Sequence, residues 1–166
     1  MNHFVSIIIP TYNQSEYLKE AIQSVIEQTH SSWEAIVIDN YSLDDTSRVV
    51  SDFSDQRIRL IRFHNKGIIA ASRNIGIRKA RGDLIAFLDS DDFWDRDKLA
   101  RCILPFAGDQ TDLVCHDERL IGPESFSRTI RYGPQKNTGY KLLLTGGNCL
   151  STSAVVVKKN ALLEVG

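Results

Sequence analysis

Between Gly82 and Trp94 the chain reads Gly-Asp-Leu-Ile-Ala-Phe-Leu-Asp-Ser-Asp-Asp-Phe-Trp, and this stretch limits the fold more than any other. Leu84 to Leu88 are apolar without alternation, which suits a strand buried on both faces of a parallel sheet. The apolar run then stops and three acids follow within four positions, Asp89, Asp91 and Asp92. Close like charges repel, so a cation normally sits among them. The carboxyl end of a strand in an open α/β sheet is also where ligands bind. Hard oxygen donors favour Mg²⁺ or Mn²⁺, shared with a ligand's phosphates. The competing reading makes these acids caps for the next helix, a job open to Asp92 or Asp95.

The rest of the chain supplies the partners of that strand. Val5 to Ile9 reads as a first buried strand closed by Pro10. Asn13 with Glu16 three residues on has the form of a capping box. Leu18, Ala21, Ile22, Val25 and Ile26 give the helix that follows one apolar stripe. Trp33 to Ile38 is a second strand ending at Asp39, and Ser42 to Asp45 should open a short helix carrying Val49, Val50 and Phe53. Ile58 to Phe63 alternates with Arg59 and Arg62, which points to an edge strand. A helix from Ile69 to Ala80 follows, with Gly82 as its stop. Strands alternating with helices predict consecutive right-handed βα units around a parallel sheet. Residues at Pro10-Thr11-Tyr12, Asp39 and Asp89 to Asp91 would then meet on one rim.

Beyond Trp94 the signal is coarser. Asp97 to Phe106 is read as a helix and Asp112 to Cys115 as a strand running into His116-Asp117-Glu118. Residues 122 to 139 are an exposed hairpin or loop, and Gly139 to Leu144 a helical turn. Leu150 to Val157 is a strand, and Lys159 to Val165 a last amphipathic turn or two.

Composition narrows the function classes. The 166 residues suit one domain, and 20 basic against 21 acidic residues give a net charge of -1, which disfavours nucleic acid held by bulk charge. Three scattered cysteines, Cys102, Cys115 and Cys149, have no zinc or redox spacing and fit reduced thiols in a cytosolic setting. No glycine precedes Gly67. A phosphate-binding loop of the Walker or dinucleotide kind needs glycines directly after the first strand, so both are excluded.

Four ordered segments now carry a resemblance. Val-Ser-Ile-Ile-Ile-Pro-Thr-Tyr-Asn (5 to 13), Val-Ile-Asp-Asn-Tyr-Ser-Leu-Asp-Asp-Thr (37 to 46), Asn-Lys-Gly-Ile-Ile-Ala-Ala-Ser-Arg-Asn-Ile-Gly (65 to 76) and Gly-Asp-Leu-Ile-Ala-Phe-Leu-Asp-Ser-Asp-Asp (82 to 92) together resemble the nucleotide-binding half of family 2 inverting glycosyltransferases with the GT-A fold. The match covers residues 4 to 95, with weaker similarity to Gly166. It implies an α/β, Rossmann-like GT-A fold, a central mostly parallel sheet flanked by helices on both faces. Residues 1 to 166 would form a single nucleotide-sugar-binding domain.

Carried over by position, the resemblance implies that Pro10, Thr11 and Tyr12 border the base and ribose of a nucleoside-diphosphate sugar, with core packing as the alternative for Tyr12. Asp39 would accept the imide N–H of uracil, or else cap the next helix. Arg73 would face the diphosphate as a planar guanidinium, or stand solvated on its helix, and Lys66 is a second candidate. Asp91 would ligate Mg²⁺ or Mn²⁺, while Asp89 and Ser90 lie by the ribose or sugar. Asn40-Tyr41 stands where the family more often has Asp-Gly, so this turn must form without glycine, a task for which Asn is suited. The family's downstream acidic segment, which deprotonates the acceptor hydroxyl, is not found, so a domain cut before its catalytic base is expected. Asp117 and Glu118 are the remaining acidic pair at a strand end, and neither is assigned as the base. The acceptor would be a saccharide or a lipid-linked one, with Gly146-Gly147-Asn148 at most one wall of its pocket. The setting implied is cytoplasmic, with peripheral membrane association open. Rival readings fit less well: a phosphatase-like hydrolase places its Asp-x-Asp after the first strand, and a nucleotidyltransferase needs a glycine-rich basic loop there. A donor-binding module without chemistry stays open.

Overall fold

The computed structural model describes residues 3–108, 110–122, 126–132 and 150–165. Cys149, Gly146-Gly147-Asn148 and the turn expected at Gly139 to Leu144 lie outside the described residues. The chain runs β1 (Val5–Thr11), α1 (Ser15–Ile26), β2 (Trp33–Asp39), α2 (Thr46–Asp52), β3 (Ile58–Arg62), α3 (Ile69–Lys79), β4 (Leu84–Phe87) and α4 (Lys98–Cys102). There follow β5 (Leu113–Cys115), β6 (Glu118–Ile121), β7 (Ser127–Ile130), β8 (Val155–Lys158) and α5 (Lys159–Val165).

Six strands form one sheet in the order β3-β2-β1-β4-β8-β5. The first four are parallel, and β8 lies antiparallel between β4 and β5. β3 is at the edge, as its alternating arginines predicted. β6 and β7 pair antiparallel as a separate hairpin. Because β1, β2 and β3 step outward one way and β4 returns to the other side of β1, strand order reverses between β1 and β4. That switch point is where an open α/β sheet leaves a crevice at its carboxyl edge.

Successive residues of each central strand face opposite layers. Val5, Ile7, Ile9, Ala35, Val37, Leu84 and Ala86 pack against Leu18, Ile22 and Val25 of α1 and Val50 of α2. Ile8, Ile36, Ile38, Ile85 and Phe87 face Ile75 and Ile77 of α3 and Leu162 of α5. β1 continues through Pro10 to Thr11 instead of closing at Pro10. The Leu88 N–H donates to the Ile8 carbonyl, so even-numbered positions of β1 turn their backbone toward β4. β4 ends at Phe87, so the N–H that Pro10 lacks would have had no strand partner there.

Several local expectations change. Gly82 is not a helix stop: α3 ends at Ala80 in extended backbone. A Cβ at Gly82 would stand 2.5 Å from the Phe4 carbonyl oxygen and 2.6 Å from the Ser6 nitrogen, so the glycine lets the chain pass against β1. The Asn13–Glu16 capping box does not form. Asn13 takes a φ of 50° and faces the β2–α2 loop, giving its N–H to Ser42 and accepting from the Leu43 N–H. Asp44 accepts from the Ser15 N–H at 2.8 Å, so a neighbouring loop serves the start of α1. Neither Asp92 nor Asp95 caps α4, whose cap position is Asp97. That helix is five residues long and gives way to a 3-10 turn at Leu104–Ala107. The strand expected from Leu150 begins only at Val155, after a 3-10 turn at Thr152–Ala154.

At the amino edge of the sheet Glu34 is fully buried. Its Oε1 accepts from the Ser6 hydroxyl and the Arg81 N–H, both at 2.7 Å. Its Oε2 accepts from Arg81 Nε and Arg59 Nη2, both at 2.9 Å. Burial works against the charged carboxyl, but these bonds outweigh it and hold the pKa of Glu34 below the ordinary value. The alternation of Arg59 and Arg62 along β3 pointed to an edge strand and gave no sign of this ion cluster.

Candidate functional site at the carboxyl edge

Parallel pairing sets Thr11 beside Asp39 and carries β4 into Asp89 on the other flank of β1. Among the described residues, loops after β1, β2 and β3 hold three of the four non-glycine residues with positive φ, Asn13 (50°), Tyr41 (58°) and Lys66 (54°). Such backbone persists where surrounding contacts enforce it, and it collects at binding sites. The left-handed position in the second motif falls on Tyr41 and not on Asn40. Asn40 is occupied elsewhere: its Oδ1 accepts from the Asn65 N–H, tying the β2 and β3 loops together. The Tyr41 ring sits 6.2 Å from that of His64.

On the β1 side, Pro10 and Thr11 are buried and Tyr12 is 53% exposed, which excludes core packing for its ring. Asp39 is fully buried at the end of β2. Its Oδ1 accepts from the Ser42 N–H at 2.9 Å, turning the chain toward α2 without capping that helix. Its Oδ2 lies 3.6 Å from Arg62 Nε and, among the described residues, has no hydrogen-bond partner. An acceptor oxygen kept dry and unfilled is costly unless a donor arrives.

On the β4 side, Arg73 of α3 reaches across to Asp89, Nη2 to Oδ1 at 2.6 Å, so these two expected site residues meet directly. Asp91 is exposed and its carboxylate has no partner among the described residues. Lys66 is exposed on the loop before α3, and the structure brings its amine to none of the others. Asp92 is drawn into the same field. Although Asp92 is exposed by surface area, partial desolvation of its carboxyl first, then the Asp91, Glu118 and Asp89 carboxylates, push its pKa up, against the influence of the Ser153 hydroxyl, which pulls it down. A surplus of carboxylate charge with a free Asp91 is the donor chemistry a hard divalent cation takes. Among the described residues no three His, Cys, Asp or Glu side chains close into a metal cage.

Asp117 and Glu118 meet the hairpin instead. Asp117 accepts from the Tyr132 N–H at 3.0 Å and Glu118 from the Tyr132 hydroxyl at 2.7 Å. Burial, and then the Glu118 carboxylate, push that hydroxyl to about 12, so it stays protonated and donating. Sequence reasoning missed the groups that hold the acid turn in place. Ser90 donates to Gln14 Oε1, the Trp94 N–H to Ser24 Oγ at 3.1 Å, and the Asp89 N–H to Ser153 Oγ at 3.0 Å. None carries a sequence signature, since each bond joins segments more than sixty residues apart.

Residues 6–165 match the family described as Glycosyl transferase family 2. UDP-Glc:alpha-D-GlcNAc-diphosphoundecaprenol beta-1,3-glucosyltransferase WfgD of Escherichia coli is 36% identical over 151 residues, 90% of this chain and 59% of that protein. S. aureus TarS in complex with UDP-GlcNAc superposes with a TM-score of 0.77 at 21% identity, over 98% of this chain and 47% of the other. Mannosyltransferase PcManGT from Pyrobaculum calidifontis, in complex with GDP-Man and Mn²⁺, superposes at 0.74 with 21% identity, over 100% and 47%. The chain therefore spans about half to three-fifths of the length of these relatives, and the structural likenesses bear on the fold, which is GT-A. No helix among the described residues is long and apolar enough to cross a membrane. By the extent of the family match and the identity to its relative, the chain belongs to glycosyl transferase family 2.

Proposed function

We propose that the chain forms the donor-binding part of a transferase that moves a sugar from a nucleoside-diphosphate sugar, a UDP-sugar in particular, with inversion. The acceptor is a saccharide or a lipid-linked one. The observation that carries the reading is Asp39: a buried carboxylate at the carboxyl end of β2, beside Thr11 of β1, whose Oδ2 has no hydrogen-bond donor among the described residues. Uracil offers one imide N–H, and Oδ2 is the acceptor for it. Tyr12, half exposed beside Thr11, gives the flat base a face. Asp91, with Asp89 beside it, would hold Mg²⁺ or Mn²⁺, a cation typically bound by one or two carboxylates plus a ligand's phosphates. When bound, that ion supplies Lewis-acid stabilisation of the leaving diphosphate. Arg73 fixes Asp89 and offsets its charge. Pro10 and Ser90 shape the floor, Lys66 stands outside as a mobile-length cation for the phosphates, and a base is assigned to neither Asp117 nor Glu118 because Tyr132 engages both. Support for uridine comes from the names of the E. coli and S. aureus proteins, while the Pyrobaculum protein holds a guanosine donor.

Titration calorimetry with UDP, GDP and CDP in the presence of Mn²⁺ tests this. UDP should bind tightest. Asp39→Asn keeps an acceptor for Ser42 but turns an amide N–H₂ toward uracil, and should weaken UDP about tenfold or more. Equal binding of GDP, or an Asp39→Asn protein that binds UDP as the parent does, would overturn the uridine assignment.

A further inference from the structure

We propose that Ser153 is a positioning residue that sets the direction of Asp91, an inference that rests on the reading of Asp91 as the cation ligand. Ser153 is 3% exposed and comes from the 3-10 turn before β8, far along the chain from the acids. Its Oγ accepts from the Asp89 N–H at 3.0 Å. A hydroxyl has one proton and two lone pairs. The Asp89 N–H takes up one of those lone pairs. Its carbonyl accepts from Trp94 Nε1 at 3.1 Å. One residue thus grips the turn at Asp89 and Trp94.

The turn has an internal bond as well, from the Asp92 N–H to the Asp89 carbonyl at 3.0 Å. Asp91 lies between these two anchored residues, exposed and without a partner of its own among the described residues. Its side chain is therefore aimed by the backbone of the turn, and that backbone is aimed by Ser153 from one side and by the Gln14–Ser90 bond from the other. β8 runs antiparallel beside β4, which is what carries Ser153 to the end of β4. The consequence is that a residue from the second half of the chain controls the cation site built by the first half.

The test uses the whole chain with Ser153→Ala and Ser153→Thr, Mn²⁺ and UDP as probes, and amide hydrogen exchange of the ligand-free protein. Ser153→Ala should weaken Mn²⁺-dependent UDP binding about tenfold, the scale of one lost hydrogen bond, and leave metal-free UDP binding unchanged. The Asp89 amide should exchange about tenfold faster while amides of Ile8 and Val37 keep their protection. Ser153→Thr, which keeps the hydroxyl, should restore both readouts. An unchanged Asp89 amide in Ser153→Ala, or an equal loss of metal-free and Mn²⁺-dependent binding, would overturn the proposal. If the parent protein shows no Mn²⁺-dependent gain in UDP binding, the cation reading fails by itself, and the Asp89 exchange rate still decides whether Ser153 holds the turn.

Discussion

Glu34→Gln separates what holds the sheet from what serves the site. The carboxylate accepts four hydrogen bonds, two on each oxygen. Glutamine keeps one oxygen and presents an N–H₂ group at the other, which faces two guanidinium donors in one orientation and, in the other, the Arg81 N–H beside a Ser6 hydroxyl that must turn to accept. Net charge-assisted bonds contribute about 1.5–3 kcal/mol each, and breaking a buried ion pair costs about 3–5 kcal/mol. The arginine side chains are 37% (Arg59) and 62% (Arg81) exposed and regain water, which favours the low end. We expect a loss of about 3 kcal/mol, read as a lower urea midpoint with an unchanged slope. The pH dependence follows with its sign. The folded pKa lies below the ordinary 4.5, so the stabilisation is complete above that value and disappears as pH falls through the folded pKa. The parent should therefore lose stability in acid that the variant has already lost. Because the cluster sits at the amino edge, opposite Asp39 and Asp91, UDP affinity of the folded variant should not change. A loss under about 1 kcal/mol, or parallel acid profiles, would refute the argument.

Two further outcomes follow from the geometry. Gly82→Ala drives a Cβ to 2.5 Å from the Phe4 carbonyl oxygen and 2.6 Å from the Ser6 nitrogen of β1 and should cost about 3 kcal/mol or more in urea melts, whereas Gly67→Ala, with open space around it and a φ of 79°, should cost about 1 kcal/mol. Equal losses would remove close approach as the reason for Gly82. Arg73→Met leaves Asp89 among carboxylates without its cation, and should lower stability by about 1–2 kcal/mol, of which added Mn²⁺ recovers part; a melt insensitive to both changes would show that the pair bears no charge balance.

Much of this molecule was legible before any coordinate. The buried runs at Val5 to Ile9, Trp33 to Ile38 and Leu84 to Leu88 and the stripe of α1 encode burial locally, so the parallel βα units up to β4 and the edge place of β3 followed from alternation, while the return of β4 to the far side of β1 did not. The Tyr12, Asp39, Asp89 and Asp91 rim was legible for the same reason, as each ends a strand that could be seen. What sequence could not show is held by long-range pairing. Glu34 looked like one polar residue in an apolar strand, and its partners Ser6, Arg59 and Arg81 come from other elements. Gly82 stood where a helix stop belongs, but its neighbour is the backbone of β1. Asn13 had the spacing of a capping box, yet Ser42 and Leu43 of another loop competed for its backbone and side chain and won. Past Trp94 short strands and 3-10 turns leave too few residues for a period to declare itself, so the antiparallel insertion of β8 beside β4, and Ser153 with it, was invisible.

The central claim is a divalent cation held by Asp91 at the end of β4, and Mn²⁺ binding followed by electron paramagnetic resonance tests it most directly. With UDP present, the signal of free Mn²⁺ should fall as protein is added, Asp91→Asn should abolish that fall, and Asp117→Asn should leave it intact. An Asp91→Asn protein that still takes up Mn²⁺ with UDP as the parent does would contradict the account.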